Sequence, residues 1–278
     1  INWDQLYAAN RNINQQGGDA MYYVQARYNN NLYFTLASTL TKHFSAKNTL
    51  NVGVTAVTNK GFHYQTMDDL LGANSFHNIN NYAIGTYAAN SSAVQYDLNR
   101  MHALVKEGDR FGYDYNLNVV RGNAWASYTE TFRNIHYSVA GKIGYDGMNR
   151  DGKMRNGLFA NNSFGKSKTA NFLSGGGKTA ASIDLSHGHV FSLGLGLESK
   201  APTASVAFQA AEMNNDFVRD LKNELIFSSE ASYQYSTSWL HANLNAYYSY
   251  VGHATEWTCF YFDDINSVCA SNPHPTST

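Results

Sequence analysis

Paired carboxylates are the residues of this chain best suited to carry out a reaction. Asp68-Asp69 and Asp263-Asp264 lie in polar stretches, and a histidine lies near each pair in sequence, at His63 and His253. A carboxylate and an imidazole held together can activate water for the hydrolysis of a peptide bond. Adjacent aspartates in an extended segment point to opposite sides, however, and exposed ones are usually only solvated. A hydrolase is therefore an alternative hypothesis, with Asp68, Asp69, Asp263 and His253 as its residues.

A glycine run and a histidine pair are also similar to known binding motifs. Gly-Gly-Gly-Lys-Thr at 175–179 resembles the end of a phosphate-binding loop, but that motif needs a glycine at position 172, where the chain has Phe172. Glycines within a strand relieve crowding, so this run predicts a strand. His187 and His189 have no third ligand beside them, so they predict solvated turn residues and no metal site. We expect no cofactor.

Two cysteines and a basic stretch complete the candidate residues. Cys259 and Cys269 lie close together near the C-terminus, which fits either a local disulfide in an exposed loop or no bond at all. The basic stretch fits a contact with the phosphates of lipopolysaccharide or another anionic ligand, or a loop whose charges only keep it soluble. Its members are Arg150, Lys153, Arg155, Lys166 and Lys168.

The composition excludes several classes of protein. The 278 residues have a formal net charge of −1, which gives no electrostatic basis for binding nucleic acid. Only 15% of them are charged, against about a quarter in a typical soluble domain. No run of about 18 apolar residues is present, so the sequence predicts no membrane helix and leaves a membrane barrel open. The chain begins at Ile1 without a methionine or a leader, so we expect a processed product or a piece.

Four segments alternate between aliphatic residues and small or polar ones. The aliphatic positions are Leu32, Phe34, Leu36 and Leu40; Leu50, Val52, Val54 and Ala56; Phe191, Leu193, Leu195 and Leu197; and Leu240, Ala242, Leu244 and Ala246. The residues between them are mainly threonine, serine, asparagine and glycine. Each strand therefore has one apolar face and one polar face, as strands in a lipid-facing barrel do.

We predict about nine strands, each near the ~10 residues that a tilted strand needs to cross a bilayer. Their expected ranges are 20–28, 32–42, 49–58, 114–128, 135–146, 173–185, 190–199, 225–235 and 240–251. After a first turn at 29–31, short connections alternate with long ones, which are 59–113, 147–172, 200–224 and everything beyond about 252. All short turns then lie at one end of an up-and-down sheet, as the periplasmic turns of bacterial outer-membrane barrels do.

Tyrosines fall toward the predicted strand ends, where a phenol can lie at the level of lipid headgroups. They are Tyr22, Tyr28, Tyr113, Tyr115, Tyr137, Tyr145, Tyr233, Tyr235, Tyr248 and Tyr250. Packing in the core of a soluble β protein is the alternative for these rings. Residues 91–107 predict a short helix that begins at Ser91 or Ser92 and ends at Gly108.

Several loop segments, taken as a set, resemble one family. They are YQTMDDLLGA at 64–73, KEGDRFGYDY at 106–115, RNGLF at 155–159, NSFGKS at 162–167, Ala201-Pro202, NDFV at 215–218 and ELIFSSE at 224–230. These segments are similar to the barrel of TonB-dependent outer-membrane receptors of the Bacteroidetes type. The resemblance covers nearly the whole chain, to about residue 264.

This resemblance implies a barrel of about 22 strands with an N-terminal plug, which imports metal chelates, cobalamin or oligosaccharides with energy from the TonB complex. The chain has no segment similar to the plug or to a TonB box. We therefore expect residues 1–278 to be one partial barrel domain of nine or ten strands, forming an open sheet whose edges need the rest of the parent barrel. A small closed barrel is the alternative.

The sequence thus predicts an all-β chain, an antiparallel up-and-down segment of a transmembrane barrel with short periplasmic turns and long extracellular loops. Its expected role is that of a non-enzymatic receptor and transporter fragment in the outer membrane of a Gram-negative bacterium. Expected partners are outer-membrane lipid and lipopolysaccharide, a small nutrient ligand, and the TonB complex through the missing plug. The candidate ligand-binding residues in the loops are Asp68, Asp69, Arg110, Lys166 and Trp257. Two alternatives stay open, a self-contained barrel hydrolase of the omptin type and a soluble β-sandwich binding module.

Overall fold

A computed structural model describes the backbone of residues 1–262 and 265–273 and the side chains of residues 1–256. Most of this part of the chain forms one antiparallel sheet of nine strands. The strands are β1 (Val24–Ser45), β2 (Asn48–Asp69), β3 (Arg110–Phe132), β4 (Ile135–Gly152), β5 (Gly165–Lys166), β6 (Ala170–Leu185), β7 (His189–Lys200), β8 (Glu224–Ser236) and β9 (His241–Gly252). A separate two-stranded sheet joins β10 (Thr255–Phe262) to β11 (Ile265–Pro273).

The order of the large sheet follows the chain. It runs β1-β2-β3-β4-β6-β7-β8-β9, and the short strand β5 pairs with β4 beside this path. The path is open, since β1 and β9 lie at its two ends. The predicted all-β, up-and-down architecture is therefore confirmed.

Short and long connections alternate as predicted. The short ones are 46–47, 133–134, 186–188 and 237–240, and they all lie at one end of the sheet. The long ones are 70–109, 153–169 and 201–223, at the opposite end. Positive φ angles at Arg133 (56°) and His187 (66°) mark two of the tight turns, which confirms that His187 is a turn residue.

The first two predicted strands are a single strand. Asn29, Asn30 and Asn31 were expected to form a turn, but they continue the ladder of β1 opposite His63, Phe62 and Gly61 of β2. Hydrogen bonds across the two strands satisfy the asparagine side chains, because Asn59 donates to Asn31 at 3.1 Å and the His63 ring lies 2.8 Å from Asn29. A run of asparagines is a turn signal only where no partner strand offers such bonds.

The helical content also differs from the prediction. Residues 91–107 contain only short 3-10 turns, at Ser92–Val94 and Leu98–Arg100. A helix that the sequence did not predict, α1 (Trp3–Gln15), begins after Asn2, whose side chain accepts a hydrogen bond from the Gln5 amide. Its buried Asn10 donates to the carbonyls of Tyr22 and Leu70, at 2.8 and 2.9 Å. These bonds hold α1 against the long-connection end of β1 and β2.

The cross-strand register divides the large sheet into two faces. We call one the aliphatic face. One of its rows consists of Leu40, Val52, Ala126, Gly141, Gly177, Leu197, Phe227 and Tyr250. We call the other the polar face. One of its rows consists of Gly53, Trp125, Lys142, Gly176, Glu198, Ile226 and Val251.

The apolar cores lie at the long-connection end of the sheet. One groups buried side chains of β3, β4 and β6 with residues of the 201–223 connection, and the other packs Phe76 and Val105 of the 70–109 connection against Met67 and Phe111. Further toward the short turns the leucines of the aliphatic face are exposed, with 53% of Leu197 accessible. Among the residues that the structure describes, no second sheet packs on the aliphatic face there, in contrast to the inner faces of a β-sandwich.

Tyrosines divide between these two environments. Six of the predicted strand-end tyrosines are exposed on the aliphatic face, as expected: Tyr28, Tyr137, Tyr145, Tyr233, Tyr248 and Tyr250. Tyr113 and Tyr115 are instead buried on the polar side, beneath Phe208 and Ala211 of the 201–223 connection. Their expected position at the lipid headgroups is wrong, because the long connection folds back over the end of β3.

Candidate functional site

Along the middle of the sheet the charged side chains of β3, β4, β6, β7 and β8 lie on the polar face, whereas Glu130 and Asp151, toward the two ends, lie on the aliphatic side. Those on the polar face include Arg121, Lys142, Asp146, Lys178, Glu198 and Glu230. Two ion pairs form among them: Arg121 donates to Asp146, and Lys142 Nζ lies 2.6 Å from Glu198 Oε1. Side-chain exposure is 6% for Asp146 and 35% for Glu198, so the second pair is the one more open to solvent.

A groove of about 400 Å³ lies along this face. Its lining comes from β3, β4, β6, β7 and β8 and includes Trp125, Lys142, Lys178, Glu198 and Ser228. The size falls within the range of small-molecule sites, roughly 300–1,000 Å³. The groove combines an indole, an ammonium, a carboxylate and a hydroxyl, which can contact a polar solute by stacking and by hydrogen bonds.

Glycines form the floor of the groove. Lys142 and Glu198 are both in register with Gly176, on β4 and β7 to either side of β6. A Cβ atom at Gly176 would lie 2.7 Å from the carbonyl oxygen of Leu197. Because Gly176 has no side chain, the lysine of one strand reaches the carboxylate two strands away.

Trp125 borders the groove on the opposite side. It is in register with Gly53 of β2 and Lys142 of β4, and its indole lies where a Cβ atom of Gly53 would be. The ring thus covers the backbone of β2, an arrangement that compensates a glycine within a sheet.

The predicted glycine run at 175–179 lies within β6, as expected. The sequence analysis did not identify Trp125, Lys142 or Glu198 as candidate residues. The alternation of Lys142 and Glu198 with apolar neighbours in the sequence could have predicted that these side chains lie on the polar face. Their proximity depends on the register of β3, β4, β6 and β7, which local patterns do not specify.

The long connections form a layer over the long-connection end of the sheet. Arg150, which is 1% exposed, donates to the carbonyl oxygens of Ala211 and Ser163 and to the side chain of Asn215, at 2.6–2.7 Å. Its guanidinium also lies 5.0 Å from the centre of the Tyr115 ring. Arg150 therefore joins two connections to β4. The expectation that it meets an external anion is wrong, because its donors are used inside the layer.

The predicted ligand-binding residues of the loops lie along this same end, with different neighbours. Asp68 is exposed on β2, whereas Asp69 accepts hydrogen bonds from the Leu71 amide at 2.7 Å and the Tyr7 phenol at 3.5 Å. Arg110 donates to Asp114 at 2.8 Å, and Lys166 pairs through its backbone with Asp151. The structure places these residues on one rim but gives each its own local contacts.

Several predicted residues lie outside what the structure describes. The side chains of Trp257, Cys259 and Cys269 are outside the described residues, as is Asp263. The backbone register places Cys259 of β10 opposite Cys269 of β11. His253 is half-buried, with a φ of 59°.

The layer formed by the long connections contains a tyrosine, Tyr96, whose pKa is shifted by its surroundings. Burial, reinforced by the phenols of Tyr23 and Tyr82 and by the carboxylate of Glu212, raises the pKa of Tyr96 from 10.0 to about 12. A buried phenol resists ionisation because its anion would lose hydration. Tyr96 therefore stays neutral and can donate a hydrogen bond at any ordinary pH.

The fold and the two faces define a segment of an antiparallel up-and-down β-barrel wall. A comparison with solved structures agrees with this class. The chain is similar to a structure described as the copper transporter OprC, with a TM-score of 0.59 and 15% sequence identity over 87% of this chain. The match covers 34% of that protein, so the chain spans about a third of its length. At this identity the similarity concerns the fold.

The other comparisons add no relatives. No protein-family model matches the chain, and no curated protein matches it. Within the described part of the chain, no group of three or more histidine, cysteine, aspartate or glutamate side chains is arranged to hold a metal ion. No helix among the described residues is both long and apolar enough to cross a membrane.

Proposed function

We propose that this chain forms part of the wall of an outer-membrane transporter, with its aliphatic face against lipid and its polar face along a solute pathway. The observation that carries this proposal is the distribution of charge. Between the level of Lys42 and the level of Lys60, the charged side chains of the described sheet all lie on the polar face. A lysine or arginine facing lipid near the bilayer centre costs about 2–4 kcal/mol, which accounts for this separation.

The height of the uncharged band supports the same proposal. Lys42 is level with Leu50 of β2, and Lys60 lies ten residues further along that strand. Ten residues of a strand extend about 33 Å. With a tilt of about 40° the band is roughly 25 Å tall, which is the height of the apolar band of outer-membrane barrels.

The polar face supports passage of a polar solute. Its groove offers both signs of charge through Lys142 and Glu198, which lie 2.6 Å apart and remain partly exposed. A paired lysine and glutamate can exchange their mutual bond for bonds to a solute at low cost, because exposed ion pairs contribute only about 0–1 kcal/mol.

A second part of the proposal concerns the energy source of transport and the class of solute. The loop segments that resemble TonB-dependent receptors and the likeness in fold to OprC support import driven by the TonB complex, with the plug and further strands lying outside this chain. Metal chelates, cobalamin and oligosaccharides are the solute classes that this family implies. In this proposal Asp68, Arg110, Lys166 and Trp257 contact ligand at the rim, and the chain carries out no catalysis.

A pair of lysine substitutions tests which face meets lipid. Leu197 and Ser228 are neighbours on β7 and β8, but Leu197 lies on the aliphatic face and Ser228 on the polar face. Leu197→Lys is expected to destabilise the chain folded in liposomes by about 2–4 kcal/mol. Ser228→Lys, the matched control, is expected to change it by less than about 1 kcal/mol. Folding is measured by co-sedimentation with vesicles and protection from protease.

Equal tolerance of both lysines, or a chain that remains in the aqueous phase without detergent, would contradict the proposal. The second result would favour the soluble binding module.

The hydrolase alternative depends on Asp69. One carboxylate oxygen of Asp69 accepts a hydrogen bond from the Leu71 amide, and the other accepts one from the Tyr7 phenol. These bonds favour a structural role for Asp69.

A further inference from the structure

The 201–223 connection forms a short hairpin that packs on the polar face. Its two sides pair at Phe208 and Phe217, and Phe208 belongs to the core cluster formed with β3, β4 and β6. Glu212 lies in the turn of this hairpin with an exposed side chain. A buried arginine of β4 donates to the carbonyl oxygen of the residue before it, Ala211. The backbone that carries Glu212 is therefore held in place over the polar face.

Two phenols reach a recess beneath this hairpin. Tyr113 and Tyr115 of β3 are only 8% and 7% exposed, and neither hydroxyl has a hydrogen-bond partner among the described residues. No buried side-chain oxygen in the described part of the chain lacks a partner, so both hydroxyls are accessible although their rings are covered. Each can donate a hydrogen bond to a molecule that enters the recess.

A cation borders the same recess on the side of β1. Arg27 lies on the polar face with an exposed side chain and is in register with Gln65 of β2, which separates it from β3. Within the set of side chains described, neither Arg27 nor Glu212 takes part in an ion pair. The recess thus presents one positive and one negative group, each available to a ligand.

The electrostatic influence of these groups on one another supports their proximity. Burial raises the pKa of the Tyr113 phenol, with Glu212 adding to this effect and Arg27 opposing it. Burial also raises the pKa of the Tyr115 phenol, and Glu212 again adds to the effect. For the Glu212 carboxyl, burial raises the pKa and Arg27 acts against it. Tyr113 therefore lies within range of both charges, and both phenols stay protonated and able to donate at neutral pH.

We propose that this recess binds a short peptide with free termini. The terminal carboxylate of the peptide meets the guanidinium of Arg27, its ammonium meets Glu212, and a carbonyl oxygen between them accepts from the Tyr113 phenol. A guanidinium fork matches the geometry of a carboxylate, and tyrosine rings add a further attraction for an ammonium. This inference rests on the proposed function, because it takes the polar face as the wall of a solute pathway.

The opposite charges distinguish a peptide from the solute classes that the family resemblance implies. An anionic metal chelate is attracted by Arg27 but repelled by Glu212. A neutral oligosaccharide leaves both charges without an opposite charge. A zwitterion compensates both, and the separation of Arg27 from Glu212 leaves room for the chain between its two termini.

The test is isothermal titration calorimetry of the full chain in detergent at neutral pH, with trialanine as the probe. Trialanine is expected to bind, and its N-acetyl form and its C-terminal amide are each expected to bind about tenfold more weakly. Arg27→Gln should remove the difference between the acid and the amide. Glu212→Gln should remove the difference made by the acetyl group. Both residues are exposed, so these substitutions leave the fold intact.

Two further variants separate recognition from structure. Tyr113→Phe keeps the buried ring and removes only the hydroxyl, so trialanine binding should weaken about threefold. Arg219→Gln is the matched control, because Arg219 is an exposed cation on the same connection. It should leave binding unchanged within about twofold.

Two results would overturn the inference. One is trialanine binding that is absent, that both capped forms equal, or that Arg219→Gln weakens as much as Arg27→Gln. The other is binding of maltotriose or ferric citrate at least as tight as that of trialanine. Partitioning into liposomes separates this failure from that of the proposed function. A chain that stays in water contradicts both, whereas one that enters vesicles without binding trialanine contradicts only the peptide site.

Discussion

The Arg150 Nε atom donates a 2.6 Å hydrogen bond to the carbonyl oxygen of Ala211, so a strand of the sheet holds a loop 61 residues further along the chain. The same guanidinium bonds Ser163 and Asn215. The hydrogen bonds of one buried arginine thus hold two long connections against the sheet. The basic stretch at 150–168 therefore divides into an internal part, at Arg150, and an exposed part that includes Lys166.

Replacing Arg150 by methionine is expected to release the 201–223 connection. Methionine fills much of the space but leaves the carbonyl oxygens of Ala211 and Ser163 buried without donors. Each such group costs about 1–3 kcal/mol, so the two together are expected to cost about 2–6 kcal/mol. Limited proteolysis within 201–223 measures the release. Lys153→Met, at an exposed neighbouring cation, serves as the control, and equal cleavage of both variants would contradict the role of Arg150.

Gly53→Ala is expected to destabilise the sheet. Its added methyl group would overlap the Trp125 indole, whereas a methyl group at Gly122 of β3 enters open space. Overpacking of this kind costs about 1–3 kcal/mol, and Gly122→Ala is expected to change stability by less than about 1 kcal/mol. Heat-induced unfolding in detergent compares the two. Similar melting of both variants would show that Trp125 moves freely away from Gly53.

The two ion pairs of the polar face are expected to differ in strength. A double-mutant cycle with Lys142→Gln and Glu198→Gln should give a coupling of about 0.2–1 kcal/mol that falls with added salt, because both side chains are partly exposed. Asp146→Asn should cost about 1.5–3 kcal/mol, since its nearly buried carboxylate accepts from charged Arg121. Urea unfolding in detergent measures both, and a salt-insensitive Lys142–Glu198 coupling would contradict this assignment.

The buried phenol of Tyr96 is expected to make the stability of the folded chain sensitive to alkali. The pKa of its phenol is raised from 10.0 to about 12 by burial, so the folded chain keeps this proton more tightly than the unfolded chain. Stability is therefore unaffected below pH 10 and decreases as the pH rises from 10 toward 12. Tyr96→Phe should remove part of this decrease. Thermal melts across this range, with Tyr87→Phe at an exposed tyrosine as the control, check the assignment.

The disulfide between Cys259 and Cys269, which the sequence leaves open beside the absence of a bond, can be tested. Opposite positions in an antiparallel pair lie about 4.5–5.5 Å apart at Cα, which is within the span of a disulfide. The register of Cys259 with Cys269 meets this condition. Protein isolated under oxidising conditions should resist alkylation until it is reduced, as measured by mass. Ready alkylation of both thiols before reduction would contradict the bond.

The strands could be predicted closely where the alternation of side chains was uninterrupted. Strand β7 was expected at 190–199 and spans His189–Lys200, because Phe191, Leu193, Leu195 and Leu197 mark one face without ambiguity. The turns were predicted with them. The error at 29–31 arose because asparagine is a turn former locally, while its cross-strand bonds to β2 decide its conformation in the sheet.

Helix α1 and the polar-face groove could not be predicted, for two different reasons. The helix contains many asparagines and glutamines, so its position depends on tertiary bonds such as those of Asn10. The groove depends on the register of strands that lie far apart in sequence: Trp125, Lys142 and Glu198 share one row only because β3, β4, β6 and β7 pair as they do. Asp69 and Arg110 were predicted to lie in the long loop 59–113, but they are the end residues of β2 and β3 at the long-connection end. Their roles in ligand contact remain predictions.

The open edge of β1 has a consequence for biogenesis. This strand is 22 residues long, and within the described part of the chain it pairs with β2 alone. In hydrocarbon, each backbone group left without a partner costs several kcal/mol. If the aliphatic face meets lipid as proposed, insertion of β1 and β2 requires a further strand to pair with the free edge of β1, since that edge would otherwise leave its backbone groups without hydrogen bonds in hydrocarbon.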